Sequence, residues 1–455
     1  MELRGVGIGY RRELAHALLA RPDAVDFMEV VAEACREPAQ RREATALAEV
    51  WPVVPHGVKL SLGSAEGIDE GRARDFGRLA RELRAPVVSE HVSFVRAGGR
   101  EIGHLTELPM TREAVAVVVR NVATLRRALP DVPLLLENVA RAFVWAETDH
   151  EMQEGEFHAA VAEATGCDLL LDVGNLYANA VNAGLDPFAV LASYPLDRVA
   201  MLHVAGGVFE HGFYFDTHGH PVPEPVFALV ERVFALRGAL PVLLERDADY
   251  DAHVAILKEA ARLRDLGRDA PLGSGGTEKS EKIAKFAKEK LAKSFANSAL
   301  FSDALALAQS RLAEELTVHD APHASPAVVR ARGVLERKRA DDALPLLPEL
   351  AMRIAPHDAL ALGRIAEVPR LASMTAVADA MRIAEAACAV PELARSAMRD
   401  GALLRARFES TPEGPRPRSM PYVRREELSD GHAVWVLKGF GQGAPVRVIE
   451  RGARR

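Results

Sequence analysis

The first 268 residues alternate between short apolar runs and longer amphipathic stretches. The apolar runs are rich in Val, Ile and Leu, as buried β-strands are, and eight of them occur, at 6–8, 27–31, 53–60, 86–91, 134–138, 169–173, 199–204 and 242–245. The stretches between them, such as 72–83, 112–129 and 225–236, repeat apolar residues three and four positions apart and predict helices. Eight strand and helix units in about 250 residues predict an α/β fold, a (β/α)8 TIM barrel with a parallel sheet.

An open doubly wound sheet is the alternative architecture for this pattern. Residues 5–9 read GVGIG, which is too short for the GxGxxG fingerprint of a dinucleotide-binding sheet. Polar residues that can bind metals recur within or at the ends of the later apolar runs: His56, His91, Glu137, Asp172, His203 and Glu245. The C-terminal strand ends of a barrel meet at one mouth, where active sites lie, so a barrel would bring these six side chains together.

A metal centre explains such a group better than a network of hydrogen bonds does. Burying three carboxylates without compensating cations would cost several kcal/mol per charge. Asp216 and His218, in the loop that follows His203, would add two ligands, and Asn175 could add a carbonyl oxygen. Imidazole and carboxylate together suit zinc, manganese or iron rather than calcium or magnesium. Nine candidates exceed the needs of one ion, so we expect roughly two or three ions, bridged by Glu137 or Asp172.

Composition narrows the classes of function. A chain of 455 residues, 49% hydrophobic and 27% charged, predicts a globular protein of roughly two or three domains. A net charge of -7 argues against a nucleic-acid partner. The cysteines, Cys35, Cys167 and Cys388, form no CxxC pair that would indicate a disulfide framework or a thiolate zinc site. No uncharged run approaches the roughly 18 residues of a membrane span, so we expect a cytoplasmic protein without a membrane partner.

Beyond the barrel, the pattern predicts three further segments. Residues 269–277 have the Gly, Ser and Pro content of a linker. Residues 278–400 predict a helical domain; it begins with a basic amphipathic helix over 277–294, which we expect to pack its apolar side on its own domain. Residues 401–455 predict a tail with β-runs at 422–424, 433–438 and 446–450 and a turn at 429–431.

The barrel region resembles a known enzyme family. The motifs that carry the resemblance are SEHVSF at 89–94, LPMTREAV at 108–115, LLLENV at 134–139, LLLDVGNLYANA at 169–180, LHVAGG at 202–207, DTHGHPVPEPV at 216–226 and LLERD at 243–247. In this order and spacing they resemble the methanobactin oxazolone synthase-like family of multinuclear non-haem iron-dependent oxidative enzymes, which are TIM barrels that modify ribosomally made peptides. Residue 174 is Gly where the family pattern leads us to expect Asn, residue 219 is Gly where Asp is usual, and the 95–104 loop also differs.

The resemblance implies a site and a reaction. It places the iron ligands on the nine residues named above, His56, His91, Glu137, Asp172, Asn175, His203, Asp216, His218 and Glu245. It implies two or three iron ions in mixed Fe(II)/Fe(III) states, with O2 as cosubstrate, that oxidise a peptide side chain, most often cysteine. We assign catalytic roles to Glu137, Asp172, His203 and Asp247. Glu90, Asn138 and His220 would orient the ligands by hydrogen bonds; for these three and for Asp247, a plain structural role is the alternative.

The family also implies a partner protein that binds the precursor peptide. We interpret residues 278–455 as such a partner fused in cis, with a β-run that could accept the peptide as an added strand. A structural appendage or a dimerisation module is the alternative. For the barrel, the competing hypotheses are a zinc- or manganese-dependent hydrolase or isomerase of the endonuclease IV or xylose isomerase kind, and a non-catalytic peptide-binding or metal-storage scaffold.

Overall fold

A computed structural model describes most of the chain. The described residues are 3–141, 145, 150–210, 212–270, 298–317, 325–355, 358, 361, 375–411, 414–427 and 433–451. The predicted linker, apart from residues 269 and 270, the predicted basic helix at 277–294 and the predicted turn at 429–431 lie outside these residues. The chain divides into two compact units, one formed by Met1–Val95 with Leu105–Leu307, the other by Arg96–His104 with Ala308–Arg455.

The strands before residue 245 comprise the barrel and two small sheets. They are β1 Val6–Gly9, β2 Phe27–Val31, β3 Val53–Gly57, β4 Val88–His91, β5 Phe94–Ala97, β6 Arg100–Thr106, β7 Leu134–Glu137, β8 Asp168–Asp172, β9 Val199–Val204, β10 Val208–Glu210, β11 Phe213–Phe215 and β12 Val242–Leu244. Eight of them, β1 to β4, β7 to β9 and β12, pair in parallel and close into a barrel in chain order. The other four form two-stranded sheets, β5 with β6 and β10 with β11.

Helices surround the barrel. They are α1 Ala15–Ala20, α2 Pro38–Leu47, α3 Glu70–Glu82, α4 Arg112–Arg126, α5 Glu154–Thr165, α6 Val173–Asn182, α7 Pro187–Leu191, α8 Glu224–Arg237 and α9 His253–Arg268. Several begin at a side-chain cap, which satisfies a backbone N–H that the first turn leaves without a partner. Thr111 caps α4 by accepting from the N–H of Ala114, and Asp172 caps α6 by accepting from the N–H of Asn175. The predicted (β/α)8 barrel is confirmed.

The second unit is mostly helical and ends in a small sheet. Helix α10 spans Ser298–Thr317 across the boundary between the units, and α11 Pro326–Ala343, α12 Thr375–Ala387 and α13 Ala394–Arg407 follow. Strands β13 Phe408–Thr411 and β14 Gly414–Pro417 pair with each other, and β15 Tyr422–Glu427, β16 Ala433–Lys438 and β17 Val446–Arg451 form an antiparallel sheet in that order. The predicted helical domain with a β-containing tail is therefore confirmed as a fold class.

Apolar contacts hold the small sheet to its neighbouring helix. Met398, Ala402 and Ala406 of α13 form a buried cluster with Val434 and Val436 of β16. The helices are tied by a buried ion pair in which Arg339 donates to both carboxylate oxygens of Asp379, at 2.9 and 2.8 Å. Such a two-point pair fixes the relative orientation of α11 and α12. Within the described parts of the chain, no helix is long and apolar enough to cross a membrane.

Candidate metal centre

The inward-facing positions of the barrel change from apolar to polar along each strand. Side chains two residues apart on a strand point to the same side of it. An apolar layer inside the barrel consists of Phe27, Val54, Val87, Leu135, Leu170, Met201 and Leu243. Two residues further along the same strands lie Glu29, His56, Ser89, Glu137, Asp172, His203 and Glu245, each no more than 8% exposed. We call these seven residues the polar layer. His91, four residues after Val87, is buried beside it.

The first group of possible ligands is His56, His91 and Glu137, with one ligand atom from each within 4.8 Å of the others. Glu137 Oε2 lies 3.5 Å from His56 Nε2 and 3.3 Å from His91 Nε2. Nδ1 of His56 is 2.9 Å from Ser89 Oγ, and Nδ1 of His91 is 3.1 Å from the Gly57 carbonyl oxygen. In both rings the contact at Nδ1 fixes the orientation, and Nε2 is directed at the carboxylate of Glu137.

The second group shares Glu137 with the first and adds Asp172 and His203. His203 Nδ1 lies 3.1 Å from Glu137 Oε1 and 3.6 Å from Glu245 Oε2. The two oxygens of Glu137 thus face different histidines. A carboxylate placed in this way can bridge two ions, since each oxygen is directed at a separate ligand group.

The third group consists of Asp172, His218 and Glu245. His218 Nδ1 lies 3.1 Å from Glu245 Oε2, and its Nε2 lies 2.6 Å from Asp216 Oδ2. The backbone of His218 has φ of 53°, in the left-handed region that residues other than glycine rarely adopt. This conformation turns the imidazole between the two carboxylates, so Asp216 and His218 reach the cluster from the loop after β11.

Several oxygen atoms of the cluster are buried without a hydrogen bond from any described residue. They are Glu137 Oε2, Asp172 Oδ2, Asn175 Oδ1 and Asp216 Oδ1. Buried polar atoms in folded proteins nearly always have a partner, and a buried carboxylate oxygen without one is costly. Bound divalent cations would satisfy all four atoms, so the residues present fit a metal centre.

The charges in the cluster shift one another's protonation. Burial alone would raise the pKa of Glu137, but His203, His91 and His56 lower it to about 2. Burial would lower the pKa of His91, yet Glu137, Glu90 and Glu245 raise it to about 9. Burial, together with Asp216 and Glu137, raises the pKa of Asp172 to about 7. In the absence of metal, a proton on His91 therefore helps to balance the carboxylates.

Asparagine side chains connect Asp172 to the strand beside it. Asn138 donates from Nδ2 to the Asp172 carbonyl oxygen at 3.0 Å and accepts from the Asp172 N–H at 2.8 Å. Asn175 donates from Nδ2 to the Asn138 carbonyl oxygen at 3.1 Å and, through its backbone N–H, to Asp172 Oδ1 at 2.6 Å. Asp172 Oδ1 is therefore occupied, and Oδ2 is the oxygen available to a cation.

Glu90 supports the first group from outside it. Its Oε2 accepts from the N–H of Leu60 at 3.0 Å, and its Oε1 accepts from the N–H of His91 at 2.8 Å. A Cβ atom on Gly57 would come within 2.5 Å of Glu90 Oε2, so the absence of a side chain at residue 57 makes room for this carboxylate. Glu90 thus links the segment after β3 to the end of β4.

Two of the residues that we expected at the site have other partners. Asp247 pairs with Arg11, whose Nε donates to Asp247 Oδ1 at 3.1 Å, and the backbone N–H of Asp247 donates to the His218 carbonyl oxygen at 2.7 Å. His220 is exposed, and its Nδ1 lies 2.9 Å from Thr217 Oγ1. Neither side chain is in a ligand group among the described residues.

Sequence reasoning passed over Glu29. This buried residue of β2 lies with Oε2 at 3.0 Å from His203 Nε2, and it forms a further possible ligand group with His203 and Glu245. The signal was present, because a glutamate stands in the middle of the otherwise apolar run FMEVV. Glu29 is followed by Val30 and Val31 in the same strand, so it does not stand at the end of its apolar run as most of the predicted ligands do.

The overlapping groups of histidines and carboxylates lie at the C-terminal ends of the barrel strands, which is where (β/α)8 barrel enzymes have their active sites. The chain belongs to the family described as RiPP precursor modification enzyme MbnB/TglH/ChrH, whose family model matches residues 5–268. The resemblance drawn from the motifs is thereby confirmed for the barrel, and the family is one of enzymes.

Individual relatives match more than half of the chain. A UPF0276 protein of Streptomyces avermitilis is 40% identical over 268 residues, which are 57% of this chain and 54% of the relative. A UPF0276 protein of Rhizorhabdus wittichii is 39% identical over 247 residues, 54% of this chain and 87% of the relative. The match thus spans about half the length of the Streptomyces protein but most of the Rhizorhabdus one.

Among solved structures, the chain is similar to barrel proteins of other kinds. Endonuclease IV from Thermus thermophilus matches with a TM-score of 0.39 and 20% identity, covering 57% of this chain and 99% of that one. A xylose isomerase domain protein from Planctomyces limnophilus matches with a TM-score of 0.36 and 12% identity, covering 64% and 99%.

Proposed function

We propose that this protein is an iron-dependent, O2-using oxidase that works in the cytoplasm. Its substrate is a ribosomally made precursor peptide, which it modifies at a cysteine side chain. The observation that supports the proposal most directly is a set of buried carboxylate oxygens, on Glu137, Asp172 and Asp216, that accept no hydrogen bond from the described residues. They lie among overlapping groups of histidines and carboxylates, in a chain of the precursor-modifying family. Oxidation of the cysteine, the use of O2 and the identity of the metal are the proposed parts.

The residues divide naturally among ion positions. His56, His91 and Glu137 would hold one ion, and Glu137 with Asp172, His203 and Glu245 would hold a second. His218, with Asp172, Glu245 and the nearby Asp216, would hold a third. Iron, when bound, would supply one-electron chemistry and affinity for dioxygen. The protein's part is to orient these side chains and to exclude water from them, which the burial of the polar layer supports.

The same donor set suits other metals. Imidazole and carboxylate ligands also bind zinc and manganese, and this supports the alternative of a divalent-metal hydrolase or isomerase of the endonuclease IV or xylose isomerase type. Membership of the precursor-modifying family favours the oxidase over this alternative.

Metal analysis of the anaerobically purified protein should discriminate between the two. We expect iron at roughly two or three ions per chain, consumption of O2, and a change in mass of a cysteine-bearing candidate precursor peptide. Cysteine-to-serine replacement in the peptide is the matched control and should abolish the change. Zinc or manganese with turnover that does not need O2 would favour the hydrolase or isomerase. Iron that never changes the mass of any candidate peptide would favour the non-catalytic scaffold.

We also propose that the second unit contributes the precursor-binding function of a fused partner. Strands β15 and β17 are the outer strands of its three-stranded sheet, and such strands can accept an extended peptide as an added strand. The Rhizorhabdus relative matches this chain over 247 residues, which are 54% of this chain and 87% of the relative, so that protein is too short to contain both units. Precursor binding through the sheet would therefore be a property of this longer chain.

Truncation after Thr317, the end of α10, should test this role. We expect the shortened protein to keep its metal content, because the candidate ligands precede residue 246, and to lose at least about tenfold in affinity for the precursor peptide, equal to about 1.4 kcal/mol. Peptide affinity would be measured by fluorescence anisotropy, with metal content and far-UV circular dichroism as controls for folding. Unchanged affinity would instead support a structural or dimerisation role for the second unit.

A further inference from the structure

His203 differs from His56 and His91 in what holds its imidazole ring. In His56 and His91, the oxygen nearest to Nδ1 is neutral, Ser89 Oγ at 2.9 Å or the Gly57 carbonyl oxygen at 3.1 Å, and Nε2 is directed at Glu137. A carboxylate oxygen of Glu90 lies further from His91 Nδ1, at 3.5 Å. In His203 the arrangement is reversed. Nε2 lies 3.0 Å from Glu29 Oε2, whereas Nδ1 points between Glu137 Oε1 at 3.1 Å and Glu245 Oε2 at 3.6 Å.

The environment of this pair is fully enclosed. His203 is 0% exposed and Glu29 is 3% exposed, so water does not compete for their hydrogen bond. Nδ1 of His203 is buried and makes no hydrogen bond with any residue that the structure describes. One nitrogen of the ring therefore has a carboxylate partner, and the other faces the carboxylates that we assign to the metal centre.

We propose that Glu29 is a positioning residue of the metal centre, which accepts a hydrogen bond from His203 Nε2 and thereby presents Nδ1 to the second ion position. This inference rests on the proposed metal centre, but not on iron or on oxidation. Hydrogen bonding to a carboxylate fixes the tautomer and the orientation of a ligating histidine and raises its basicity. His203 is consequently a stronger donor than His56, whose Nδ1 has a neutral partner in Ser89.

The competing role for Glu29 is that of a direct ligand. One oxygen of Glu29, one nitrogen of His203 and one oxygen of Glu245 also lie within 4.8 Å of one another. An ion there would use His203 Nε2 in place of the hydrogen bond and would leave Nδ1 without a metal. The two roles differ in the number of ions that the protein binds when Glu29 is replaced, and this makes them separable by experiment.

The test is zinc binding by the full-length Glu29→Gln variant, measured by competition with a chelator and by counting bound ions. We expect the wild-type number of ions and a loss of about 10- to 100-fold in affinity at one position, as is typical when the hydrogen-bond partner of a ligating histidine is lost. Co(II) in place of zinc should give visible absorption bands displaced from those of the wild type. Glu33→Gln is the matched control, because Glu33 accepts from the backbone N–H groups of Val58 and Lys59 and from no ligating histidine.

Three outcomes would overturn the proposal: unchanged zinc affinity in Glu29→Gln, loss of one bound ion, or an equal loss of affinity in Glu29→Gln and Glu33→Gln. If Glu29→Gln fails to fold, Glu29→Asp keeps the charge on a shorter side chain and should show a smaller loss with displaced cobalt bands; wild-type affinity and bands in that variant would also overturn it. A wild-type protein that binds neither zinc nor iron would refute the proposed metal centre itself.

Discussion

Replacement of Glu137 by alanine should remove at least one bound ion per chain and abolish modification of the peptide. Glu137 faces His56 and His91 with one oxygen and His203 with the other. Its loss therefore removes a ligand from two of the groups at once. We expect metal affinity to fall by more than the roughly 100-fold that follows loss of an outer hydrogen-bond partner. Metal content by plasma mass spectrometry and the mass of the peptide product are the measurements.

Two further variants test whether the loss of metal comes from the charge of Glu137 and whether it is specific to this site. Glu137→Gln keeps the size of the side chain but removes its charge, and it should bind metal better than alanine does and worse than the wild type. Asp400→Asn alters a buried carboxylate of the second unit, which accepts from the N–H groups of Glu349 and Leu350, and should leave metal content unchanged. A Glu137→Ala protein with full metal content and full turnover would show that the ions lie elsewhere.

The metal-stripped protein should lose stability as pH rises from about 6 to 9, whereas the zinc-loaded protein should gain stability over the same range. In the stripped protein, the pKa of His91 is raised from its ordinary 6.5 to about 9, so its contribution is complete below pH 6.5 and is lost as pH rises through 9. At 1.36 kcal/mol per pKa unit, this group alone accounts for about 3 kcal/mol.

The carboxylates act at other pH values. The pKa of Asp172 is raised from 3.8 to about 7, so its contribution to stability is complete below pH 3.8, is lost as pH rises to 7 and changes no further above that pH. The pKa of Glu137 is lowered from 4.5 to about 2, and its stabilising contribution is present above pH 4.5 and is lost as pH falls through 2. The stripped protein should therefore be most stable in mildly acidic solution.

Bound zinc should reverse the trend above pH 6. Metal ligands bind in their deprotonated forms, so protons compete with the ion less strongly as pH rises. Thermal unfolding in chelator and in excess zinc, at unit steps from pH 5 to 9, would show the two slopes. Parallel slopes in the two conditions would contradict a metal centre built from these histidines and carboxylates.

Much of the fold follows from the spacing of apolar residues. Because a buried parallel strand is apolar on both faces, its sequence stands out from the amphipathic helices on either side, and the eight barrel strands could be located in this way. The two-stranded sheets formed by β5 with β6 and by β10 with β11 could not, since each lies within a connection and has partly exposed, mixed residues.

Sequence alternation can predict the residues of the polar layer, but it cannot predict the partners of loop side chains. An inward-facing residue is followed two positions later by another, so Phe27 should have pointed to Glu29 as Leu135 points to Glu137. Asp247 and His220 follow a strand and a ligand loop, respectively, but the partners of loop side chains depend on contacts distant in sequence. Arg11, which pairs with Asp247, lies 236 residues away along the chain.

The crowding between Gly57 and Glu90 has a consequence for how this sequence can vary. Any side chain at residue 57 would displace the Glu90 carboxylate and so break its bonds to the N–H groups of Leu60 and His91. An alanine at residue 57 would force this carboxylate to shift, and a shorter residue at 90 would relieve the crowding, so the two positions should change together during evolution. Directed-evolution libraries that randomise residue 57 alone should return glycine.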